Sequence, residues 1–172
     1  RHQVVNDVMG DVPVVVFYDP LAGTPVAARR RIGDRTLTFG VSGLVANGTS
    51  LYFDRETESL WSPLAGEAIA GPLAGSRLEV LRVWQEPRDL FLGRAPRASV
   101  LARPDRAFDY RVSPYKAYWV DETLHFPLAA RDDRYHPKEL VLGVVAGGTA
   151  RAYLGSQLTA AGGRIADEIA GH

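Results

Sequence analysis

The chain has 172 residues, of which 46% are apolar and 23% are charged. This is the composition of an ordinary globular domain, and it excludes a disordered or collagen-like chain. Twenty basic residues balance twenty acidic ones, and the resulting net charge of zero argues against a dedicated nucleic-acid binder, which carries a basic excess. The chain contains no cysteine, which excludes disulfides, thiolate metal ligands and thiol catalysis within it.

Most of the predicted elements are short strands between turns that contain glycine or proline. The β-branched and aromatic run at 12–18 is typical of a buried strand. Asn47-Gly48 predicts a type I′ hairpin between strands at 42–45 and 50–54. The other predicted strands cover residues 36–41, 67–70, 77–84, 99–102, 124–126, 140–145 and 150–154.

Helix signals are few. Pro87 in a first turn favours a short helix that ends near Arg94, and two more are predicted at 155–161 and 164–170, separated by a pair of glycines. Residues 103–133, rich in proline, aspartate and tyrosine, predict long ordered surface loops. We therefore expect a mostly β (α+β) fold, a compact β-rich single domain over residues 1–172 with a few short helices.

One internal repeat is visible. Residues 4–11 recur in residue type at residues 165–172, and the first copy leads directly into the strand predicted at 12–18. Chance similarity is the alternative. If the repeat is real, the fold has an internal two-fold relation between two halves. Because the chain starts with arginine rather than methionine, we also expect it to be truncated at one or both ends.

Seven short strings occur in order along nearly the whole chain: VVND, YDPLAGT, TLTFGVSGL, YFDRETESLW, GEAIAGPLAGSRLE, DDRYHPKELVLGV and GGTARAY. Together they resemble a widespread prokaryotic family known only as domain of unknown function number 3179. Many members of that family look exported or lipid-anchored. The resemblance therefore implies an extracytoplasmic location, secreted or at the cell surface.

The clearest departure from the family pattern directly follows the strand predicted at 12–18. Family members typically carry Tyr-Cys-Pro-Leu-Cys-Gly-Thr there, whereas this chain has Asp19 and Ala22 at the two cysteine positions. A Cys-x-x-Cys pair could bind a soft metal or cycle as a disulfide, and neither replacement can do so. We therefore expect this chain to have kept the family scaffold and lost its thiol site.

His2, Asn6, Asp7 and Asp19 form the first candidate site, with His2, Asp7 and Asp19 as its metal ligands. One imidazole with one or two carboxylates could hold Zn²⁺ or Cu²⁺ if the loop at Asp19 returns near His2, with Asp132 as a further ligand. The alternative is that Asn6 and Asp7 cap or turn the chain before Gly10 and that His2 is an ordinary terminal residue.

The second candidate site follows the strand at 50–54. An arginine that clamps an anion, acidic and hydroxyl side chains and an indole platform would suit a polar ligand. These residues are Asp54, Arg55, Glu58, Ser59 and Trp61. The alternative is a turn in which Asp54 or Thr57 bonds backbone amides while Trp61 belongs to the core.

The third candidate site is the charged segment before the strand at 140–145. It contains Asp132-Asp133-Arg134, of which Asp132 and Arg134 belong to the family pattern, and His136 and Lys138 follow closely. This density of charge is consistent with a ligand-binding site. The alternative is a solvated loop with weak surface ion pairs.

These observations predict a non-enzymatic, extracytoplasmic binding or structural module with no cofactor, no nucleic-acid partner and no membrane span. An exposed strand edge could pair with a second copy and give an oligomer or filament. One alternative is a metal-binding protein or metal-dependent enzyme that uses the first candidate site. Another is a hydrolase or carbohydrate-binding module built on the second. Phosphate-loop, dinucleotide-binding and His-Glu-x-x-His motifs are absent from the sequence.

Overall fold

A computed structural model describes residues 2–102, 112–129 and 132–171. Its strands are β1 (Val4–Met9), β2 (Val12–Asp19), β3 (Thr24–Arg29), β4 (Arg31–Ile32), β5 (Arg35–Thr36), β6 (Phe39–Ala46), β7 (Thr49–Asp54), β8 (Leu60–Ser62), β9 (Glu67–Ala70), β10 (Val80–Leu81), β11 (Val141–Ala146) and β12 (Thr149–Leu154). Its helices are α1 (Arg88–Arg94), α2 (Lys116–Val120) and α3 (Gly155–Ala160). The mostly β fold class is confirmed.

Two four-stranded antiparallel sheets carry most of the strands, in the orders β1-β2-β3-β10 and β6-β7-β8-β9. Local sequence sets the β6–β7 turn, where Asn47 and Gly48 have φ angles of 49° and 75°. Two successive positive φ angles are the type I′ geometry. The hairpin predicted from Asn-Gly is therefore confirmed.

The hydrophobic core contains side chains from both four-stranded sheets. Phe17 of β2 lies edge-on to Phe39 of β6, with ring centres 5.1 Å apart. Phe39 in turn lies edge-on to Trp61 of β8 at 5.7 Å. All three side chains are buried together with Tyr52. Edge-to-face pairing of this kind adds to the stabilisation from burial of the aromatic surface.

Asn6 joins the two sheets at their edges. Its Nδ2 donates to the Phe39 carbonyl at 2.9 Å, and its Oδ1 accepts from the Phe39 amide at 2.8 Å. The side chain thus makes the pair of hydrogen bonds that a neighbouring strand would make. This contact places β1 beside β6.

The hairpin β11–β12 is a separate two-stranded sheet. The segment after α3 lies against it, because the Asp167 carboxylate accepts hydrogen bonds from the Arg151 guanidinium and, at 2.6 Å, from the Tyr153 hydroxyl. None of the described helices is long and apolar enough to cross a membrane.

Several predicted elements are wrong. The helix at 164–170 does not form, because Gly162 and Gly163 end α3 with positive φ angles and Asp167 bonds to the hairpin instead. Residues 99–102 and 124–126 are not strands, and only Val80–Leu81 of the strand predicted at 77–84 forms one. The sequence patterns do not predict the strands β1, β3, β4 and β8 or the helix α2.

The two copies of the predicted repeat differ in local structure. Residues 4–9 form β1, whereas residues 165–169 form neither strand nor helix. His172, the last residue of the second copy, lies outside the described residues, as do residues 103–111 and 130–131 of the predicted loops. The helices predicted at 155–161 and up to Arg94 are confirmed as α3 and α1.

Candidate functional site

Asp19 ends β2 in a buried position and holds the following turn to the sheet next to it. Its Oδ1 accepts from the Leu21 amide at 2.9 Å, and its Oδ2 accepts from the Ser50 amide at 2.8 Å. The Ser50 hydroxyl donates to Oδ1 at 3.1 Å. Both carboxylate oxygens are therefore used to join the turn to the start of β7.

Tyr52 lies in the same buried region and donates its hydroxyl hydrogen to the Tyr18 carbonyl at 3.0 Å. Burial raises the pKa of Tyr52 well above its ordinary value, and the negative charge of Asp19 raises it further. The side chain is therefore a neutral phenol at every physiological pH, and its role here is a hydrogen-bond donor within the core.

The residues of the predicted metal site lie at different places along the first hairpin. The β1–β2 register pairs Asp7 with Val14, which is five residues from Asp19, or roughly 17 Å along a strand at about 3.4 Å per residue. His2 precedes β1 and lies at the Asp19 end of this hairpin. Among the described residues, no three His, Asp or Glu side chains are placed to share a metal ion.

Asp54 of the second candidate site is fully buried and organises a tight turn between β7 and β8. Its Oδ1 accepts from the Thr57 amide at 2.6 Å, and its Oδ2 accepts from the indole nitrogen of Trp61 at 2.8 Å. The Ser59 hydroxyl accepts from the Leu73 amide at 2.9 Å. This is the geometry of a turn held by its own side chains, with Trp61 in the core.

Arg55 and Glu58 are the members of the second candidate site that solvent can reach. The Arg55 guanidinium carbon lies 5.6 Å from the ring centre of Phe53, a distance typical of a cation–π contact. Glu58 has a φ angle of 58°. Asp54, Ser59 and Trp61 lie beneath them and are closed to a ligand, so a binding role for this site depends on the two exposed side chains.

Asp132, Arg134 and His136 of the third candidate site line a cavity of about 690 Å³ between the β11–β12 hairpin and residues 122–128 and 132–139, whereas Lys138 is not part of its lining. We call it the hairpin cavity. Leu124, Leu128 and Leu154 provide apolar surface on its wall. Its charged lining consists of four carboxylates and one guanidinium: Glu122, Asp132, Asp133, Glu139 and Arg134.

Within this cavity two carboxylates already have partners. The Arg134 Nε donates to the Asp132 Oδ1 at 2.8 Å, and these hydrogen bonds lower the pKa of Asp132 to about 2. Hydrogen bonding by Ser156 lowers the pKa of Glu139. Glu122 and Asp133 also line the cavity, and neither has an ion-pair or hydrogen-bond partner among the described residues.

A second cavity, of about 460 Å³, lies beside the Asp19 turn and was not found from the sequence. Tyr118 lines it, with the His125 ring centre 4.9 Å from its own. The Lys138 ammonium lies 3.9 Å from the ring centre of Tyr118. The sequence signal for this cavity is the aromatic string at 115–119, which lies within the long predicted loops.

Residues 1–172 match the family model of a protein of unknown function, DUF3179. The chain belongs to the DUF3179 family. No curated protein and no solved structure matches it. The match confirms the resemblance found in the seven strings. In this cysteine-free DUF3179 protein, a carboxylate that bonds Leu21 and Ser50 stands where the family pattern has its first cysteine.

Proposed function

We propose that this protein is a non-enzymatic binding module that takes a small organic cation into the hairpin cavity. One observation carries the proposal: Asp132 and Arg134 line the same cavity as Glu122 and Asp133, two carboxylates without partners among the described residues. An extracytoplasmic location, secreted or at the cell surface, is part of the proposal and is supported by the resemblance to exported family members.

The chemistry of the cavity favours an amine or guanidine attached to a carbon chain. A cation that approaches Glu122 and Asp133 gains charge-assisted hydrogen bonds, the stronger class of hydrogen bond in proteins. Leu124 and Leu154 offer apolar surface to the rest of the molecule. The volume of about 690 Å³ lies within the range of roughly 300–1,000 Å³ common for small-molecule sites.

The hydrogen bonding of the two buried carboxylates, Asp19 and Asp54, also favours a binding role over a catalytic one. Asp19 and Asp54 each accept hydrogen bonds on both oxygens from groups of the protein. A general acid or base must instead reach the proton that it transfers. In this chain these two carboxylates stabilise turns.

Titration calorimetry with agmatine and cadaverine tests the proposal. We expect binding to the native protein that weakens as salt is added, because both partners are charged. Asp133→Asn and Glu122→Gln should each lower the affinity about tenfold, or 1.4 kcal/mol. Asp89→Asn is the matched control, because Asp89 is exposed on α1 and outside the cavity.

Two results would contradict cation binding in this cavity. One is native protein that binds neither cation at low salt. The other is Asp133→Asn and Glu122→Gln variants that bind as well as Asp89→Asn does.

The metal-binding alternative built on His2, Asp7 and Asp19 has a separate measurement. A native mass spectrum of protein purified without chelators reports bound metal directly. One metal ion per chain, lost in a His2→Ala variant, would favour that alternative. The strand register argues against a shared site, since it separates Asp7 from Asp19.

A further inference from the structure

The strand β11 has one backbone edge bonded to β12 and one open edge. The turn residues Gly147 and Gly148 have φ angles of 53° and 77°, the geometry of a two-residue hairpin turn. The backbone groups of the closing pair Ala146–Thr149 are therefore directed at each other, which we call inward. Because inward and outward positions alternate along an antiparallel pair, every second residue of β11 bonds inward. The hydrogen bond from the Gly155 amide to the carbonyl of residue 140, at 2.7 Å, follows the same alternation.

The backbone groups of Val141, Gly143 and Val145 therefore point away from β12. These groups have no hydrogen-bond partner within the described part of the chain. The side chains of Val141 and Val145 are also exposed, to 55% and 74%. The strand VLGVVA contains no charged residue and no proline, the two devices by which exposed edges commonly avoid pairing.

The other strand edges near the two hairpins are protected. The outward Val8 amide of β1 donates to its neighbour Asp7 at 2.8 Å, and Asn6 bonds that edge to β6. On β12 the charged side chain of Arg151 pairs with Asp167 of the segment after α3. Of the two hairpins, the described contacts therefore protect the edges at β1 and β12 but not the edge at β11.

We propose that β11 pairs antiparallel with β11 of a second copy of the chain, about a two-fold axis at Gly143. The outward residues are spaced symmetrically about Gly143, so Val141 of each copy faces Val145 of the other. Each of the three outward pairs would exchange two backbone hydrogen bonds. The same surface serves both copies, as a two-fold interface requires.

The pairing adds two further strands to the sheet of the β11–β12 hairpin. A two-stranded hairpin is marginal alone, whereas four strands in the order β12-β11-β11-β12 form a sheet of ordinary size. Two of the three facing pairs are Val141 with Val145, which are β-branched pairs that stabilise neighbouring strands, and the central pair is Gly143 with Gly143. In this register Glu139 lies opposite Gly147 of the second copy, so the interface opposes no like charges.

Sedimentation equilibrium up to about 1 mM, the weak end of specific association, tests the proposal. We expect a reversible dimer of the native chain. Val145→Pro removes an outward amide without touching the β11–β12 bonds, since proline is tolerated on edge strands, and should weaken the dimer at least tenfold. Ala150→Pro is the matched control, because Ala150 is the cross-strand partner of Val145 and its amide faces the opposite edge.

A native chain that stays monomeric throughout overturns the proposal. So does a dimer that Val145→Pro and Ala150→Pro affect equally. Cation binding is measured separately on the monomeric Val145→Pro variant, so failure of one proposal is distinguishable from failure of the other.

Disulfide formation provides a second measurement that does not depend on proline. The native chain has no cysteine, and a Cβ at Gly143 would meet no atom within 4 Å. Two-fold pairing places the two copies of residue 143 about 5.5 Å apart between Cα atoms, within the disulfide range of about 4.4–6.8 Å. Gly143→Cys should therefore cross-link under mild oxidation, and Ala150→Cys should not.

The register has its own test. A mixture of the Val141→Cys and Val145→Cys chains should cross-link to each other in preference to themselves. Equal cross-linking rates for Gly143→Cys and Ala150→Cys would overturn the proposed pairing.

Discussion

The hairpins β1–β2 and β11–β12 share an antiparallel register and a two-residue turn but differ in what covers them. In β2, Val15 and Phe17 are buried against aromatic side chains of the other four-stranded sheet. In β11–β12 no residue is fully buried, and Val145 is 74% exposed. The first hairpin belongs to the core and the second stands outside it.

This difference does not come from apolar content. The first six residues of β2 are VPVVVF and the whole of β11 is VLGVVA, and both strings would suit a strand covered on its faces. The neighbouring sheet decides which of them is covered. An equally apolar strand without such a neighbour is the signature of an interaction surface, which is why β11 rather than β2 is the strand that we expect to meet a second copy.

Truncation of one apolar side chain in each hairpin should give the largest difference between the two hairpins in the free energy of unfolding. Phe17→Ala should lower the free energy of unfolding by about 3–5 kcal/mol, because it leaves a cavity among Phe39 and Tyr52. Val145→Ala should change it by less than about 0.5 kcal/mol in the monomer, because that side chain is already in solvent. Urea unfolding at low protein concentration measures both, and similar losses would show that the hairpins are covered alike.

Residues at corresponding positions of the predicted repeat provide an intermediate contrast. Asn6→Ala leaves the buried Phe39 amide without its acceptor, and we expect a loss of about 1–3 kcal/mol. Asp167→Ala removes contacts at the surface and should leave global unfolding unchanged. It should instead speed amide hydrogen exchange in residues 164–171. A large stability loss in Asp167→Ala would mean that this segment belongs to the cooperative core.

The strands that could be predicted carry their information locally. The runs of β2, β7 and β11 are rich in β-branched or aromatic residues and are followed by turn residues, so a short window is sufficient. In β1 the polar pair Asn6-Asp7 interrupts the apolar pattern. The reason for Asn6 is a hydrogen bond to Phe39, 33 residues away, which no local window contains.

The helix wrongly predicted at 164–170 and the candidate sites also depend on contacts between residues that are distant in the sequence. Ile165 and Ile169 have helical spacing, but the contacts of Asp167 with Arg151 and Tyr153 outweigh that weak preference. The pair Asp132–Arg134 is local and was found. The cavity beside Asp19 joins Pro20 to residues at 115–126, so only the folded chain reveals it.

The smallest expected effect is a difference in pH dependence between two contacts. The contact of Asp167 with β12 contains a titratable group, whereas the contact of Asn6 on β1 does not. Hydrogen bonds from Arg151 and Tyr153 lower the pKa of Asp167 to about 2, so the charged carboxylate is the form that the folded chain favours. The stabilisation that this carboxylate gives to the contact between the segment after α3 and the hairpin is complete above the ordinary Asp pKa of about 4. It is lost as the pH falls through about 2. The carboxyl carbon shift of Asp167 should therefore titrate near pH 2, and in Arg151→Gln the midpoint should rise. The side-chain amide signals of Asn6 should stay unchanged over this range, because the contact that joins β1 to β6 involves no titratable group. An Asp167 midpoint near 4 in the native chain would mean that the segment after α3 leaves the hairpin in solution.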